Sequence, residues 1–527
     1  MKGCAPGPDL LWQRVVHNSR QYLRAPSSRF MSRTHSKGKK KQTPVAATVV
    51  EAAAHVPEAA APGPESVAIP VAPRKRVPVS EVLAALSHAL DMTEGQSRGH
   101  SIRTCMIGMR IGEAAGLAAD ARAELYYALL LKDAGCSSNA SRMAALFGSD
   151  DQYVKPRLKA VDWHDRRTLA TETWNATAKG GTLWSRMRHF IGIARQPAVT
   201  RELIASRCER GGNIAARLGF PEGTALAIKS LDEHWNGQGH PQGLAGEAIP
   251  QLSRIMNLAQ TIEVFVAKDN GSEKMADEVL RSRSGRWFDP ALADIARELL
   301  RDDEWRAGIY AGDADDRVLQ LEHAGRAWEV DDDGLDQIAE AFADIIDAKS
   351  PFTYRHSSMV AAYAKATATQ MGFDAEGVRR MYRAGLLHDI GKLGVSSRIL
   401  DKPGPLNSRE RAEMREHPRY TWEILKRVRA FAEFAMTAAL HHEKLDGSGY
   451  PWGRIADDLD MPARVLVVSD IYEAITESRA YRTGLTTTQA MQILREQSGL
   501  WLDTDAVEAL AAAVAGEPII TETPPAL

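Results

Sequence analysis

Seven side chains that commonly bind metal ions are concentrated in the second half of this 527-residue chain. They are His356, His388, Asp389, His417, His441, His442 and Asp470. Imidazoles and carboxylates together suit Fe, Mn, Co, Ni or Zn, and no cysteine follows Cys208, which disfavours a structural zinc–thiolate site. One histidine on a helix is more often structural than a ligand, but seven such residues in one segment predict a metal centre.

Two pairs of these residues are adjacent in the sequence, His388–Asp389 and His441–His442. Consecutive side chains on a helix diverge by about 100°, so both members of a pair can face a metal only where helices converge or a helix ends. We therefore expect several helices to contribute to the site. A carboxylate such as Asp389 can bridge two metals about 3.5–4 Å apart, which leaves positions open for water and a phosphate.

The elements that position these ligands are predicted to be helices. From Val79 onward apolar residues recur at every third or fourth position, as in Ile338, Phe342 and Ile345, and strand-like alternation is rare. Pro and Gly fall mainly between these segments. The pattern predicts an all-α fold of tandem helical bundles.

Composition excludes several classes of protein. Hydrophobic residues make up 44% of the chain, charged residues 25%, and the net charge is -2, so nothing in the whole-chain composition favours nucleic acid or a membrane. The four cysteines lack zinc-finger or redox spacing, and no apolar run approaches the roughly 18–20 residues of a spanning helix. We expect a cytoplasmic protein without membrane insertion.

An internal repeat organises the chain. The segment from Leu90 to His100 matches the segment from Ile346 to His356 at an offset of 256, and later segments match at offsets of 209 to 210, so the first copy carries an insertion of 47 residues between Cys136 and Cys208. This alignment retains His100 and Asp133 at ligand positions of the first copy. At the other ligand positions the first copy has Lys132 where the second has His388, Cys208 where it has His417, Asp232 and Glu233 where it has His441 and His442, and Gln260 where it has Asp470.

A lysine at a ligand position repels a metal ion, so the first copy is predicted to be degenerate and non-catalytic, with a regulatory, ligand-sensing or dimerising role. Its insertion mixes basic residues with Trp163, Trp174 and Trp184. This composition is compatible with contact to nucleic acid or to a partner, and a charged, solvated helical face is the favoured interpretation.

Four motifs resemble the HD-GYP family over about residues 335–515. They are Leu387-His-Asp-Ile-Gly-Lys392, Lys402-Pro-Gly-Pro-Leu406, Glu416-His-Pro418 and His441-His-Glu-Lys-Leu-Asp-Gly-Ser-Gly-Tyr-Pro451. The resemblance implies an all-helical fold, a centre of two or three metals, usually iron or manganese, and hydrolysis of cyclic di-GMP to pGpG or GMP by a metal-activated hydroxide.

The resemblance also implies roles for individual residues. His356, His388, Asp389 and Asp470 would surround one metal, and Asp389 would bridge to a second metal held by His417, His441 and His442. Members with three metals have a glutamate at the position of Phe352, so we expect two metals, Fe or Mn.

Further implied roles concern the substrate. Asp389 and Lys392 are the expected catalytic residues, and the predicted substrate contacts are Lys392, Asp446, Gly449, Tyr450, Arg479 and Arg482. The alternatives are a solvated lysine at a helix end, surface or structural arginines, and a Gly-Tyr-Pro turn that only bends the chain.

The predicted organisation has five segments. They are a disordered basic, Ala/Pro-rich arm (1–78), a degenerate HD-like domain (79–265), a helical connector (266–334), the HD-GYP catalytic domain (335–515) and a flexible tail (516–527). The arm either contacts an acidic surface or nucleic acid weakly or is a solvated tail, and the true start is Met1 or Met31.

Three functions remain open. The first is a cyclic di-GMP phosphodiesterase, the second a phosphohydrolase for another cyclic dinucleotide or nucleotide, and the third a non-catalytic scaffold that binds the dinucleotide. A homodimer, and contact with diguanylate cyclase domains through the Gly-Tyr-Pro segment, are further hypotheses.

Overall fold

Helices make up most of the part of the chain that the computed structural model describes, which comprises residues 76–268, 272–322, 327–351, 353, 355–478 and 483–516. In these ranges the named strands are the two-residue segments Val77–Pro78 and Glu329–Val330, which pair antiparallel. The predicted all-α class is confirmed. Almost all of the predicted arm, the tail after residue 516, Phe352, Arg479 and Arg482 lie outside the described residues.

The first copy begins with the helices Val79–Thr93, His100–Ala114 and Ala119–Leu131. Four further helices follow in the segment that contains the insertion, Ala140–Phe147, Asp151–Ala160, Arg166–Ala176 and Leu183–Arg195. It then contains Pro197–Arg217, Glu222–Lys229, Gln251–Lys268, Lys274–Arg283 and Pro290–Leu299. The Asp150 side chain accepts from the backbone N–H of Gln152 and so caps the helix Asp151–Ala160, which we call the bridging helix.

Two short helices, Asp303–Ile309 and Ala314–Gln320, lead to the second copy. Its helices are Asp332–Asp347, His356–Gln370, Ala375–Leu387, Ser397–Leu400, Ser408–Met414, His417–Leu425, Ala432–Ala439, Met461–Thr476, Thr487–Gln497 and Thr504–Val514. Short 3-10 turns cover Ile390–Gly394 and Ala456–Asp458. Aspartates cap several of these helices, because a carboxylate can accept from the unpaired N–H groups of a first turn.

The two copies share local hydrogen bonds as well as helix order. Asp91 accepts from the backbone N–H (2.9 Å) and hydroxyl (2.7 Å) of Ser101. Asp347 accepts from the same two groups of Ser357, at 3.2 and 2.7 Å. These carboxylates fix the corner between the first helix of each copy and the helix that begins at His100 or His356.

The last two helices of the second copy also have counterparts in the first. Lys274–Arg283 and Pro290–Leu299 correspond to Thr487–Gln497 and Thr504–Val514, and an isolated bridge precedes the final helix in both, Ser284 to Phe288 and Ser498 to Leu502. We therefore propose that the first copy extends to about residue 299, past the predicted boundary at 265, and that the connector is shorter than residues 266–334.

The register between the copies is a single offset of 210 after the insertion. A Cβ on Gly135 would lie 1.9 Å from the carbonyl oxygen of Arg207, and a Cβ on Gly391 would lie 1.9 Å from that of His417. Arg207 therefore matches His417. The peptide bonds His240–Pro241 and Tyr450–Pro451 are both cis, which gives the same offset.

The Glu233 and Glu443 carboxylates confirm this register. Glu233 accepts from the backbone N–H groups of residues 242–244, and Glu443 accepts from those of residues 452–454. The predicted matches of Cys208 with His417 and of Asp232 and Glu233 with His441 and His442 are wrong by one residue. The correct counterparts are Arg207 for His417, Leu231 for His441 and Asp232 for His442, and the insertion has 46 residues, the difference between 256 and 210.

The described residues belong to one compact unit, with one hydrophobic cluster that runs through both copies. At the contact between the copies, the buried Asp151 of the bridging helix lies 3.5 Å from the ammonium of Lys349 and accepts from the backbone N–H of Ser397 at 3.0 Å. Gln152 donates to the Leu393 carbonyl at 3.2 Å. The bridging helix therefore links the insertion of the first copy to the segment that follows Lys392 in the second.

Within the described ranges, no helix combines the length and the apolarity that crossing a membrane requires.

Candidate metal centre

The ligand candidates lie where helices begin or end, with one exception. His356 and His417 are the first residues of their helices, and His388 and Asp389 follow the helix Ala375–Leu387. His441 and His442 follow the helix Ala432–Ala439, and Asp470 lies within Met461–Thr476. The structure brings all seven residues together at one place. Several helices contribute, which is the arrangement that the adjacent pairs require.

One ligand group contains His356, His388 and Asp470. Their ligand atoms lie within 4.8 Å of one another, and all three residues are buried. The Oδ2 atom of Asp389 is 3.4 Å from His356 Nε2 and 3.3 Å from His388 Nε2. Asp470 Oδ1 is 3.5 Å from His356 Nε2. Two imidazoles and two carboxylates thus converge on one point.

The second group contains His417, His441 and His442. The other oxygen of Asp389, Oδ1, lies 3.4 Å from His417 Nε2 and 3.6 Å from His441 Nε2. One oxygen of Asp389 therefore faces each group, so this carboxylate would be able to contribute to both. His442 is the least buried of the three histidines, and its Nδ1 lies 3.8 Å from Asp470 Oδ2.

Backbone carbonyls fix the tautomers of three of the histidines. His388 Nδ1 lies 2.7 Å from the Gly385 carbonyl, His417 Nδ1 2.7 Å from the Met414 carbonyl, and His441 Nδ1 2.6 Å from the Ala438 carbonyl. A carbonyl only accepts, so each Nδ1 carries the proton and donates it. Each Nε2 then presents a lone pair to the centre, which is the arrangement typical of metal-binding histidines.

Unpaired buried atoms support occupation of this centre by cations. His388 Nε2 and Asp389 Oδ1 are buried without a hydrogen-bond partner. His417 Nε2 and His441 Nε2 are 3.1 Å apart, although the tautomers leave a lone pair on both atoms. Facing lone pairs and unpaired buried acceptors cost free energy, and a bound cation removes that cost. The donor set therefore fits two divalent metals.

The electrostatics of the centre differ between its ligands. Burial would lower the pKa of His356, but the Glu473 carboxylate outweighs it and raises that pKa well above its usual range. Burial would raise the pKa of Asp389, but the neighbouring His388 and Lys392 outweigh it and hold that pKa well below its usual range. Burial lowers the pKa of His441 to about 4. A metal ion competes with protons for ligand lone pairs, so the deprotonated state of Asp389 and His441 favours metal binding.

Glu473 is a site residue that the sequence did not reveal. Its carboxylate hydrogen-bonds His356 Nδ1, with both residues buried, and so fixes the orientation of that ring and the tautomer that presents Nε2. In the first copy Glu263 contacts His100 Nδ1 in the same way. One feature of the sequence could have identified Glu473. It lies one helical turn after Asp470, and Glu263 lies at the same distance after Gln260 in the first copy.

We expect Glu473→Ala to lower metal affinity about 10- to 100-fold, because the His356 ring loses the acceptor that orients it. Metal titration of the full chain measures this change. Glu496→Ala, which changes an exposed glutamate, is the control and should leave the affinity unchanged. Equal affinities for Glu473→Ala and the unmutated chain would remove Glu473 from the site.

The predicted substrate residues have different surroundings. Lys392 contacts the Asp389 carboxylate and reaches the centre. The Tyr450 ring lies 4.7 Å from the His442 ring, with the Arg415 guanidinium 5.0 Å from its centroid. Tyr450 therefore forms a wall of the second ligand group.

Two other predicted contacts have clear structural roles in the turn before Tyr450. Asp446 is exposed and accepts from the N–H and hydroxyl of Ser448. A Cβ on Gly449 would lie 2.4 Å from the Cα of Glu443, so only glycine fits there. Arg479 and Arg482 lie outside the described residues.

Cations occupy the corresponding place in the first copy. Lys132 contacts Asp133, and its ammonium nitrogen is 3.2 Å from His100 Nε2. Lys159, from the bridging helix, lies 3.2 Å from Asp133 Oδ1. Arg207 pairs with Asp232. Ammonium and guanidinium groups thus lie beside the retained Asp133 and beside Asp232, where the second copy presents metal ligands.

Glu94, Asp133 and Cys136 form a further group with ligand spacing in the first copy. Lys159 lies 2.7 Å from Glu94, and burial raises the pKa of the Cys136 thiol to about 12. The carboxylates are already paired and the thiol stays protonated, so this group is an ion-pair cluster. It agrees with the prediction that the first copy is degenerate.

Comparisons with known proteins place this geometry in a family. The HD domain model matches residues 196–292 and 340–506, which lie in both copies. The 3'3'-cGAMP-specific phosphodiesterase 3 of Vibrio cholerae is 40% identical over 446 residues, covering 83% of this chain and 95% of the relative.

Two further comparisons agree. A crystal structure of a cyclic GMP-AMP-specific phosphodiesterase of V. cholerae has a TM-score of 0.58 and 37% identity, covering 84% of this chain and 99% of that one. A cyclic di-GMP phosphodiesterase of Pseudomonas aeruginosa is 32% identical over 225 residues, 40% of this chain and 54% of the relative. The chain therefore belongs to the HD-domain family, as a cyclic-dinucleotide phosphodiesterase of the HD-GYP type in which a degenerate HD copy precedes the second copy.

Proposed function

We propose that this chain hydrolyses 3'3'-cGAMP, the cyclic dinucleotide with one guanine and one adenine, at the centre of the second copy. The observation that carries this proposal is the share of this chain that aligns with one relative. The V. cholerae relative named as 3'3'-cGAMP-specific aligns with 83% of this chain, whereas the P. aeruginosa enzyme named for cyclic di-GMP aligns with 40%.

Cyclic di-GMP is the second candidate substrate, with pGpG or GMP as the product. It is favoured by the motif resemblance and by the P. aeruginosa relative. The two substrates differ in one base. Their phosphodiester groups are identical, so the metal ligands cannot discriminate between them, and specificity must come from residues that contact the bases.

The proposed cofactors are two divalent transition metals, Fe or Mn, held by the seven ligand residues. Nitrogen and oxygen donors without thiolate suit these ions. When bound, the metals supply an activated hydroxide and neutralise phosphate charge. The glutamate of three-metal members is absent because Phe352 stands at its position, which supports a count of two.

The side chains around the centre then have distinct tasks. Lys392 presents an ammonium beside Asp389, where it can hold a non-bridging phosphate oxygen as charge builds up on it. The Tyr450 ring offers a flat surface next to His442 for a base. Arg479 and Arg482 are proposed to grip the second phosphate, since guanidinium groups pair well with phosphates.

Lys392→Met is expected to lower kcat about 10²–10³-fold while metal content stays at two per chain, because methionine keeps the length of the side chain and removes its charge. Steady-state kinetics together with metal analysis measures both quantities. Lys426→Met, a change on the surface, is the control. An unchanged kcat for Lys392→Met would mean that Lys392 is a solvated lysine at a helix end and has no role in catalysis.

A competition assay tests the substrate. The metal-loaded chain receives equal amounts of 3'3'-cGAMP, cyclic di-GMP and linear dinucleotides, and chromatography follows the loss of each. Faster loss of 3'3'-cGAMP supports the proposal, and faster loss of cyclic di-GMP supports the second candidate. No loss of any substrate, with two metals bound, contradicts both. The homodimer and the contact with diguanylate cyclase domains stay predictions.

A further inference from the structure

A cavity of about 920 Å³ opens in the first copy, between its core helices and the insertion. Its charged lining is strongly cationic, with one acid, and consists of Lys155, Lys159, Arg166, Arg201, Arg207 and Glu94. Most of the remaining lining is apolar and includes Phe147, Trp163 and Phe190. The volume is within the range of about 300–1,000 Å³ that is usual for small-molecule sites.

The cavity lies at the place that the catalytic centre occupies in the second copy. Two of its lining residues correspond to residues of that centre, Arg207 to His417 and His240 to Tyr450. The insertion adds Lys155 and Lys159 from the bridging helix. Most of the cavity wall comes from the segment between Cys136 and Arg207, which contains the insertion. We call the residues beside the replaced ligand positions the floor of the cavity.

The change at the floor preserves positive charge. Arg207 stands in place of the ligand His417, Lys132 stands in place of His388, and Lys159 reaches the acids Glu94 and Asp133. In the second copy the positive charge that attracts a phosphate is supplied by metals. Here ammonium and guanidinium groups take the place of metals, but they are paired with Glu94, Asp133 and Asp232. The floor therefore cannot activate water, and the charge that attracts a phosphate must come from the rim.

The rim of the cavity offers charges that are not already paired. Arg166 and Arg201 are exposed, and neither forms an ion pair with a described residue. Inside, the Oδ1 atom of Asn139 lacks a hydrogen-bond partner although the residue is only 4% exposed. Trp163 and His240 stack with centroids 6.0 Å apart and present flat rings to the cavity.

We propose that this cleft binds a nucleotide through its phosphate without cleaving it, which makes the first copy a ligand-sensing domain. Arg166 and Arg201 contact the phosphate, the stacked rings contact the base, and the amide oxygen of Asn139 accepts from a donor on the base. The choice of a nucleotide rests on the proposed function, since it assumes that the cleft retains the ligand class of the second copy.

Binding to the metal-free full chain tests this site separately from catalysis. Removing the metals takes away the strongest charges near a phosphate in the second copy, and the variant below, which changes only the first copy, separates binding there from binding that Lys392 retains in the second copy. Calorimetric titration then uses 3'3'-cGAMP, the linear dinucleotide pGpG, GMP and inorganic phosphate as separate probes, which identifies the part of the ligand that is recognised. The variant is Arg166→Glu/Arg201→Glu, and Arg188→Glu, an exposed arginine outside the lining, is the matched control.

The expected result is one bound nucleotide per metal-free chain, with affinity at least about tenfold weaker in the double variant and unchanged in the control. Absence of nucleotide binding to the metal-free chain would overturn the proposal, and so would equal affinities of the double variant and the unmutated chain. Turnover by the metal-loaded chain is measured separately, so loss of the proposed function alone would leave this binding result intact.

Discussion

Asp389→Asn is expected to lower turnover of the cyclic dinucleotide by at least about 10³-fold and to reduce the bound metal below two per chain. Each oxygen of Asp389 faces a different ligand group, at 3.3–3.4 Å from His356 and His388 and 3.4–3.6 Å from His417 and His441. An asparagine presents one oxygen and one amide nitrogen. It cannot bridge two cations, so both the charge and the geometry of the centre are lost.

Kinetics and metal analysis of Asp389→Asn have a matched control in Asp457→Asn, which alters an exposed aspartate of the same copy. The control should retain both metals and full turnover. If Asp389→Asn kept two metals and full turnover, Asp389 would not bridge them and the assignment of the two ligand groups would be wrong.

Lys349→Met is expected to destabilise the chain by about 3–5 kcal/mol, because it leaves the Asp151 carboxylate buried without its partner. Both side chains are almost fully buried at the contact between the copies, and their charged atoms are 3.5 Å apart. Lys155 is a second cation near Asp151, at 3.9 Å, and compensates only in part. Chemical denaturation monitored by circular dichroism gives the free energy of unfolding.

A second substitution separates the charge effect from packing. Lys349→Met/Asp151→Asn should recover part of the lost stability, since an asparagine can still accept from the Ser397 N–H and carries no charge. Arg110→Met breaks an exposed pair with Glu113 and should cost less than about 1 kcal/mol. A cost for Lys349→Met as small as that for Arg110→Met would contradict a buried ion pair between the copies.

The sequence was sufficient to predict the helical class and the convergence of the ligand residues. Both depend on patterns in the sequence itself, the 3.6-residue period of apolar residues and the concentration of His and Asp in the second half of the chain. The repeat was also visible, but its register was not. In the sequence, Leu231 can be aligned with Leu440, which is wrong by one residue. The Gly135 and Gly391 contacts show that Arg207 matches His417, and the two cis peptide bonds give the same offset.

Other features depend on contacts between distant residues and could not be read from spacing. Glu473 is one acid among many until the fold places it against His356. The composition of the insertion predicts a charged, solvated face, yet Lys155 and Lys159 are directed into an ion-pair cluster of the first copy. Pairs such as Asp151 and Lys349 join residues almost 200 positions apart, and no periodic pattern encodes them.

We propose that the second copy is a phosphodiesterase whose activity depends on two metals. The most direct test of this proposal is to prepare the chain anaerobically without metal, add Fe(II) or Mn(II) in steps, and measure the hydrolysis of 3'3'-cGAMP and cyclic di-GMP at each metal content. We expect hydrolysis of a cyclic dinucleotide to rise with metal occupancy and to saturate at two metals per chain. Full hydrolysis by the metal-free chain, or no hydrolysis of either substrate with two metals bound, would contradict the proposal.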